Sequence, residues 1–392
     1  MPTRYYIISG EASGDLHGSN LIKALKKTEP DAIIRCWGGD LMEAAGATLV
    51  KHYRELAFMG FWEVIKNLST ILRNLRFCKE DILQFKPDVL VCIDYPGFNL
   101  RMAEWANQQG FKIAYYISPQ VWAWKEKRVI KMKQIIHRMI CILPFEKEYF
   151  EKKWNWSVDY VGHPLLEVVD QMQHNPSPEP IHWMSADFSA SPPQQPVIAL
   201  LPGSRQQEIN TLLPIMLSVT QRFPAYDFVV AMAPGIEPAF YQEMLKPYLH
   251  IRCVRNQTHS LLLQAKAAIV TSGTATLETA LLNVPEVVAY KGSPISYFIA
   301  KRLISIPYIS LVNLIMNKLV VTELIQDAFT TDQLATALTN ILSNPVQQKI
   351  QEDYRALRAV LHTGENASEK AAAIIQDLAK KTIAEARAGL PA

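Results

Sequence analysis

The chain has 392 residues, of which 49% are hydrophobic and 20% are charged. This length is more than one hydrophobic core usually serves, so it predicts two domains, and the composition excludes an intrinsically disordered chain. The formal net charge of +3 is too small to indicate nucleic-acid binding, and we expect no nucleic-acid partner. The five cysteines form no CxxC pair, which argues against a zinc site or a disulfide framework.

The N-terminal stretch "MPTRYYIISG" has too short an apolar run for a signal peptide and lacks a cleavage-site pattern. No apolar stretch reaches the roughly 18 residues that a membrane-spanning helix needs. We therefore expect a cytoplasmic protein, which can still lie on a membrane surface.

The first half of the chain alternates short apolar runs with longer amphipathic ones. The apolar runs are β-branched or aromatic and predict buried strands at 4–9, 33–37, 88–93, 112–117 and 139–143. Helical patterns lie between them, including one that follows the first strand and one over 61–85. This alternation predicts βαβ units and a parallel sheet that is covered on both faces.

A Pro- and Ser-rich stretch at 174–196 has the composition of a linker, and the alternation restarts after it. Further strands are predicted at 197–201, 227–233, 267–272 and 287–290, followed by a helical stretch over about 345–385. We predict an α/β fold of two Rossmann-like domains, whose parallel sheets face a central cleft. The predicted divisions are an N-terminal domain, a linker, a second domain and C-terminal helices that return to the first domain or cross to a partner chain: 1–170, 171–196, 197–345 and 346–392.

The second half opens with "LLPGSRQQEI", in which a strand runs into Gly203, Ser204 and Arg205 before a helix begins. Backbone N–H groups at a helix N-terminus favour an anion, and a guanidinium suits a phosphate. These residues therefore predict a diphosphate site. The alternative is an ordinary strand-to-helix turn with a solvent-facing arginine.

A second small-residue loop follows in "IVTSGTATLETA", where Ser272, Gly273 and Thr274 precede a helix that carries Glu278. The loop suits a second phosphate contact, and the carboxylate can hold the hydroxyls of a ribose; alternatively this is a Ser/Thr-capped helix. The chain has no P-loop, GxGxxG or DxD motif and no cluster with metal-ligand spacing. We expect a metal-independent site without a cofactor.

In the first half, "DVLVCIDYPGFNL" ends a hydrophobic strand in Asp94. An acid where a buried parallel strand emerges lies at the edge on which α/β proteins build sites, so Asp94 is a candidate general base. It could instead cap the turn before Pro96 and Gly97. His17, in "GDLHGSN", has a loop-like context, although a single histidine is more often structural.

Aromatic and basic residues occur together in two segments, which is typical of a surface at the headgroup region of a membrane. Buried aromatics beside a solvated basic helix would explain either segment alone, but the two together favour a lipid-handling surface. The residues are Phe58, Met59, Phe61, Trp62, Trp122, Trp124, Lys125 and Arg128.

Together these motifs resemble the lipid-A-disaccharide synthase family, inverting glycosyltransferases of GT-B architecture. The resemblance covers nearly the whole chain, and its matches come in order: "GEASGDLHG", "LAFMGFWEV", "KPDVLVCIDYPGFN", "YYISPQVWAWKEKRV", "LPFEKEYF", "VGHPL", "LLPGSRQQEI", "SGTATLE", "AKRL", "YISLVNLI" and "ELIQ".

The resemblance implies that UDP-2,3-diacylglucosamine is attacked by the 6-hydroxyl of 2,3-diacylglucosamine 1-phosphate, at the cytoplasmic surface of the inner membrane. On this view Asp94 is the expected base, with Glu11 and His17 as competitors. The resemblance also implies that Asn313, Glu323 and Gln326 line the donor side. A homodimer is possible.

Two kinds of alternative remain open at this point. One is another GT-B protein acting on a UDP-sugar, such as a UDP-N-acetylglucosamine 2-epimerase or the transferase of peptidoglycan lipid II. The other is a non-catalytic binder of lipid or nucleotide.

Overall fold

The computed structural model describes residues 2–55, 68–174, 180–184, 191–292 and 306–387. The chain divides into two compact units. The first consists of Met1–Pro164 and Leu361–Ala392, and the second of Leu165–Val360.

The first unit is built on a seven-stranded sheet whose paired strands all run parallel. Its strands are β1 (Arg4–Ile8), β2 (Ile33–Gly38), β3 (Thr48–His52), β4 (Val89–Ile93), β5 (Lys112–Tyr116), β6 (Arg138–Cys141) and β7 (Asp159–Tyr160). Their order is β3-β2-β1-β4-β5-β6-β7. The described helices in the N-terminal part of this unit are α1 (Ala12–Thr28), α2 (Asp40–Ala44), α3 (Leu68–Phe85), α4 (Pro96–Gln108), α5 (Arg128–Ile135) and α6 (Pro144–Glu148). Helix α6 continues into a π-helical turn at Tyr149–Lys153.

The second unit repeats this plan with a six-stranded parallel sheet. Its strands are β8 (Val197–Leu201), β9 (Asp227–Met232), β10 (Arg252–Arg255), β11 (Ala265–Thr271), β12 (Glu286–Tyr290) and β13 (Thr322–Ile325), in the order β10-β9-β8-β11-β12-β13. Its described helices are α7 (Leu165–His174), α8 (Gln206–Ser218), α9 (Pro238–Leu245), α10 (Thr258–Gln264), α11 (Thr274–Leu281), α12 (Leu311–Met316), α13 (Thr331–Leu342) and α14 (Asn344–Leu361).

The last helix, α15 (Ala367–Arg387), packs against α1 of the first unit. Gln376 donates to Thr28 Oγ1 over 2.6 Å, and Lys27 pairs with Glu369 at 2.8 Å. The helical pattern over 345–385 is thus two helices, because the chain turns between them at Gly364, whose φ of 80° is left-handed. Of these two, α14 groups with the second unit and α15 returns to the first.

The fold confirms the predicted α/β class with parallel sheets, and every strand predicted from an apolar run is present. The described strands that were not predicted are β3, β7, β10 and β13. β7 has only two residues, and β3 has no buried residue, so neither gives a continuous apolar signal. All five cysteines are buried and unpaired, as the absence of a disulfide pattern suggested.

Each sheet has one point where the direction of strand addition reverses. In the first unit this point lies between β1 and β4, and in the second between β8 and β11. Ligands of open α/β sheets bind outside the carboxyl ends of the strands at such a point. The loops that begin at residues 9, 94, 202 and 272 are therefore where a site is expected.

Candidate active site

The amide of Asn99 joins the ends of β1 and β4. Its Nδ2 donates to the carbonyl oxygens of Ile8 at 3.2 Å, Ile93 at 3.1 Å and Asp94 at 2.8 Å. Asn99 is fully buried, so these bonds are shielded from water. Asn99 was not predicted as a site residue, although it lies five residues after Asp94 in the quoted motif.

Asp94 itself has an unusual backbone. Asp94 and Tyr95 have φ angles of 42° and 48°, in the left-handed region that residues other than glycine rarely adopt. The N–H of Asp94 donates to the Tyr116 carbonyl at 3.1 Å, and the Tyr115 hydroxyl donates to the Asp94 carbonyl at 2.7 Å. Such conformations cost about 1–3 kcal/mol each and persist where the surroundings fix them, often at functional sites.

Asp94 is half-buried, and burial raises the pKa of its carboxyl to about 7, with the charge of Glu11 adding to the effect. Glu11 is the N-cap residue of α1. The structure therefore brings Asp94 and Glu11 together at the reversal point of the sheet. A carboxyl with a pKa near neutrality can both take and hold a proton under working conditions.

His17 lies deeper in the fold than the two carboxylates, with only 4% of its surface exposed. Burial lowers its pKa to about 4, so its imidazole is neutral at physiological pH. His163 lies near it and is also buried, which lowers the pKa of His163 to about 3. Among the described residues, His17 Nδ1 has no hydrogen-bond partner.

Asp15, the second acid of the opening turn, has a structural role. Its carboxylate accepts hydrogen bonds from the backbone N–H groups of Gly39 at 2.8 Å, Met42 at 3.0 Å and Leu41 at 3.2 Å. These bonds satisfy the N-terminus of α2, which would otherwise have unpaired donors.

In the second unit, a carboxylate from the first turn of α8 occupies the loop after β8, where an anion was expected. Glu208 Oε2 accepts from the Ser204 N–H at 3.2 Å, and Glu208 Oε1 lies 3.4 Å from a guanidinium nitrogen of Arg205. Gly203 has a φ of 116°, and a Cβ there would lie 2.7 Å from Glu208 Oε2. The glycine thus allows the left-handed turn and leaves room for the carboxylate.

The neighbouring loop after β11 begins the helix α11. Gly273 is its N-cap residue, with a φ of 150°, and Thr274 is its first residue. The Ser272 hydroxyl donates to the Ile309 carbonyl at 3.0 Å, so it links this loop to the segment before α12. One turn into the helix, Glu278 forms a hydrogen bond with His259, the second residue of α10, which was not predicted.

Asn313 and Glu323 organise the backbone before and after α12. Asn313 is fully buried, and its Oδ1 accepts from the N–H groups of Val320 at 2.7 Å and Val321 at 2.9 Å. Glu323 accepts from Asn313 at 2.8 Å and from the N–H groups of Ile309 and Ser310 at 3.0 and 2.9 Å. The two side chains therefore hold the backbone on either side of α12 in place.

Gln326 lies directly after β13, at the same edge of the sheet as the two phosphate-type loops. Its φ is 55°. When the side-chain amide is oriented with its oxygen towards the N–H of Gly292 and its nitrogen towards the Gly292 carbonyl, it accepts at 3.1 Å and donates at 3.3 Å.

The aromatic and basic segment after β5 splits into two environments. Trp124 is 40% exposed, with Lys125 Nζ 4.3 Å and Arg128 Cζ 5.5 Å from its ring centroid. Trp122 is half-buried, and its indole N–H donates to Glu146 Oε1 at 3.1 Å. Phe58, Met59, Phe61 and Trp62 lie outside the described residues.

The described part of the chain lacks two further features. No group of three or more His, Cys, Asp or Glu side chains there is placed to hold a metal ion. None of its helices is long and apolar enough to cross a membrane.

Known proteins match this chain over nearly its whole length. Residues 5–377 match the model of the family described as lipid-A-disaccharide synthetase. The chain is 38% identical to the lipid-A-disaccharide synthase of Syntrophus aciditrophicus, over 96% of this chain and 98% of that protein.

Solved structures show the same fold at low sequence identity. The glycosyltransferase of kitacinnamycin superposes with a TM-score of 0.62 at 14% identity, covering 96% of this chain and 99% of that one. The UDP-GlcNAc 2-epimerase of Neisseria meningitidis, solved with UDP-GlcNAc, gives 0.61 at 12% identity, covering 97% and 100%. These likenesses confirm the predicted GT-B fold class.

Proposed function

We propose an assignment of active-site roles for a member of the lipid-A-disaccharide synthetase family, to which this chain belongs. The protein is a hexosyltransferase that condenses UDP-2,3-diacylglucosamine with 2,3-diacylglucosamine 1-phosphate (lipid X). The products are the β-1,6-linked lipid A disaccharide 1-phosphate and UDP. The epimerase alternative has only distant structural likeness to support it, whereas the synthases match across nearly the whole sequence.

Asp94 is the proposed general base. It takes the proton of the acceptor 6-hydroxyl as that oxygen attacks C1 of the donor sugar, on the face opposite the departing UDP. The C1–O bond to the diphosphate breaks in the same step, so the configuration at C1 inverts. Burial and the neighbouring Glu11 raise the pKa of Asp94, which makes its carboxylate a stronger base.

Glu11 is the proposed partner of that base, because its charge acts on Asp94 from the N-terminus of α1. His17 is the weakest of the three candidates. It is buried and its pKa is lowered to about 4, so it is a poor acceptor for the proton of an alcohol.

Gly203, Ser204 and Arg205 are proposed to bind the diphosphate of UDP. Negative charge grows on the diphosphate as the C1–O bond breaks, so backbone N–H groups and a guanidinium stabilise the transition state more than the ground state. The loop Ser272–Gly273–Thr274 follows β11, the strand next to β8, and is proposed as a second contact to the diphosphate. Glu278 is proposed to hold the ribose hydroxyls, with His259 fixing its carboxylate.

The donor-side role of Asn313 and Glu323 is proposed to be indirect. Their hydrogen bonds fix the backbone around Ile309 and Ser310, and Ile309 in turn accepts from Ser272 of the phosphate-type loop. Gln326, at the end of β13, the strand next to β12, is proposed to shape the same side of the site.

The protein is also proposed to work in the cytoplasm at the surface of the inner membrane, where its acylated substrates lie. The exposed Trp124, flanked by Lys125 and Arg128, supports this proposal, since such clusters favour anionic headgroups. A homodimer is a further proposal, which sedimentation velocity would test.

The single observation that carries the assignment is the pairing of Asp94 and Glu11 at the reversal point of the first sheet. The test is release of UDP from UDP-2,3-diacylglucosamine in the presence of EDTA, with and without lipid X. We expect release only when lipid X is present. Release without acceptor, or none while UDP still binds, would contradict the proposed reaction.

A further inference from the structure

A second carboxylate is buried at the same edge of the first sheet. Glu146, in the first turn of α6, is only 1% exposed. It accepts hydrogen bonds from three donors: the backbone N–H groups of Leu143 at 3.0 Å and Ile142 at 3.3 Å, and the indole N–H of Trp122 at 3.1 Å. Capping explains the two backbone bonds but not the bond to the indole.

That indole belongs to the loop that follows β5, the strand next to β4 and Asp94. The ring of Trp122 meets Phe145 edge to face, with 4.9 Å between centroids. Ile117 and Lys125, at either end of the loop, have left-handed φ angles of 65° and 53°, and this conformation is costly for a β-branched residue. Within this loop, Glu146 holds the aromatic side chain of Trp122 through its hydrogen bond.

Glu146 is also within electrostatic reach of Asp94. Burial raises the pKa of Glu146 to about 7, its three donors oppose that rise, and the charge of Asp94 adds to it. An interaction between two titrating groups is mutual, so a charge on Glu146 favours the protonated form of Asp94.

The other titratable groups around this pair are on different elements. Cys141 on β6 and Tyr160 on β7 face Glu146, and both have pKa values that burial raises. The titratable groups near Asp94 are Glu11, the N-cap residue of α1, and Tyr115 on β5. Burial raises the pKa of Tyr115, and the charge of Arg128 opposes that rise. The cysteine and the two tyrosines stay neutral near pH 7, so Glu11 and Glu146 are the members of this group that can carry negative charge there.

We propose that Glu146 is a positioning residue for the transfer reaction, which holds Trp122 at the rim of the acceptor site and acts as a second buried carboxylate on Asp94. This inference rests on the proposed function of Asp94 as the base. The sequence shows Glu146 only as one glutamate of the quoted motif "LPFEKEYF". Its burial could not be predicted, because composition does not reveal which of several neighbouring charged residues is buried.

The test compares Glu146→Gln with the unsubstituted enzyme in the pH dependence of kcat/KM for lipid X. The amide keeps the size and one acceptor but removes the charge. We expect the acid limb to move to lower pH, and the plateau to fall roughly twofold or more because a weaker base accepts the proton less readily. Glu148→Gln is the matched control, since Glu148 is exposed in the same helix and pairs with Lys152; its profile should not move.

Trp122→Phe tests the other half of the proposal and is independent of whether Glu146→Gln folds. It removes the indole donor and keeps the carboxyl group of Glu146, so we expect KM for lipid X to rise roughly threefold or more. An unmoved limb in Glu146→Gln, or an unchanged KM in Trp122→Phe, overturns the proposal. Asp94→Asn distinguishes a failure of the proposed function from a failure of this inference. If Asp94→Asn keeps kcat, Asp94 is not the base. If Asp94→Asn loses kcat, a negative result with Glu146→Gln or Trp122→Phe contradicts only the role of Glu146.

Discussion

The ring of Tyr95 lies directly against Gly10. A Cβ built on Gly10 would be 2.4 Å from Cγ of Tyr95, which is closer than real Cβ atoms approach atoms to which they are not bonded. Gly10 precedes Glu11 and Tyr95 follows Asp94, so this contact joins the two loops that carry the paired carboxylates. The glycine of the opening turn therefore has a packing role that is tied to the site.

Gly10→Ala should impair catalysis more than folding. The new methyl group must displace the Tyr95 ring, which we expect to cost about 1–3 kcal/mol of stability and to move Asp94 relative to Glu11. A misplacement on this scale should lower kcat roughly tenfold or more. Gly97→Ala is the matched control, because a Cβ on Gly97 meets nothing within 4 Å. Equal activity of the two variants would show that the contact does not position the base.

The rate of transfer should rise with pH through the pKa of Asp94, which burial raises to about 7. The base acts only when deprotonated, so activity is lost as the pH falls below that value. Asp94→Asn should lower kcat about 10²–10⁴-fold while UDP still binds. The measurements are a pH profile of kcat/KM and isothermal titration with UDP. A profile whose acid limb lies near the ordinary pKa of an aspartate would contradict the environment that the structure gives this residue.

The parts that were predictable from sequence are those with a local signal. Strands such as Val89–Ile93 are continuous apolar runs, and the acid or glycine that follows each one marks the edge where the site lies. That edge was identified because parallel strands align their carboxyl ends, which requires no knowledge of distant contacts.

The remainder depends on contacts between residues that are distant in the chain. Asn99 was not selected because its function is to bond Ile8, which is 91 residues away. Asn313 and Glu323 were predicted to line the donor side, and their hydrogen bonds to the backbone on either side of α12 are a further role that the motif did not reveal. Residue type and motif position could not distinguish a side chain that binds a ligand from one that holds the loop.

Removal of the charge on Glu208 should strengthen the binding of UDP. Its carboxylate now accepts from the Ser204 N–H, the donor proposed for the diphosphate, and must move or face a second negative charge when UDP binds. Relief of that repulsion is worth about 1 kcal/mol, so Glu208→Gln should bind UDP about fivefold more tightly by calorimetry. Glu243→Gln, at an exposed pair with Lys246 in the same unit, is the control. Weaker binding in Glu208→Gln would mean that Glu208 instead orients Arg205 for the ligand.

Glu286 should make the stability of the protein depend on pH. It is the first residue of β12 and fully buried, and within the described part of the chain neither of its carboxyl oxygens has a hydrogen-bond partner. Burial raises its pKa well above the usual range. The folded state therefore binds its proton more tightly than the unfolded state. This contribution is fully present below the unfolded pKa and is lost as the pH rises towards the folded pKa.

Glu286→Gln removes that dependence, because the amide is neutral at every pH. Its free energy of unfolding relative to the unsubstituted protein should increase by up to about 1.4 kcal/mol per pH unit above the ordinary pKa of glutamate. Urea unfolding between about pH 5 and about pH 8 measures the difference, with Glu352→Gln on the exposed face of α14 as control. A constant difference across this range would show that Glu286 has no raised pKa.

The exposed cluster of Trp124, Lys125 and Arg128 should anchor the protein to anionic membranes. Each cation near such a surface contributes about 1 kcal/mol, so Lys125→Gln combined with Arg128→Gln should reduce binding to phosphatidylglycerol vesicles roughly tenfold or more. Salt should weaken binding of the unsubstituted protein and have less effect on the variant, because fewer charges are left to screen. Vesicle sedimentation measures both, and Lys246→Gln with Lys381→Gln removes the same charge at exposed sites elsewhere. If the two double variants bind equally, the loss reflects net charge alone and this cluster is not the membrane contact.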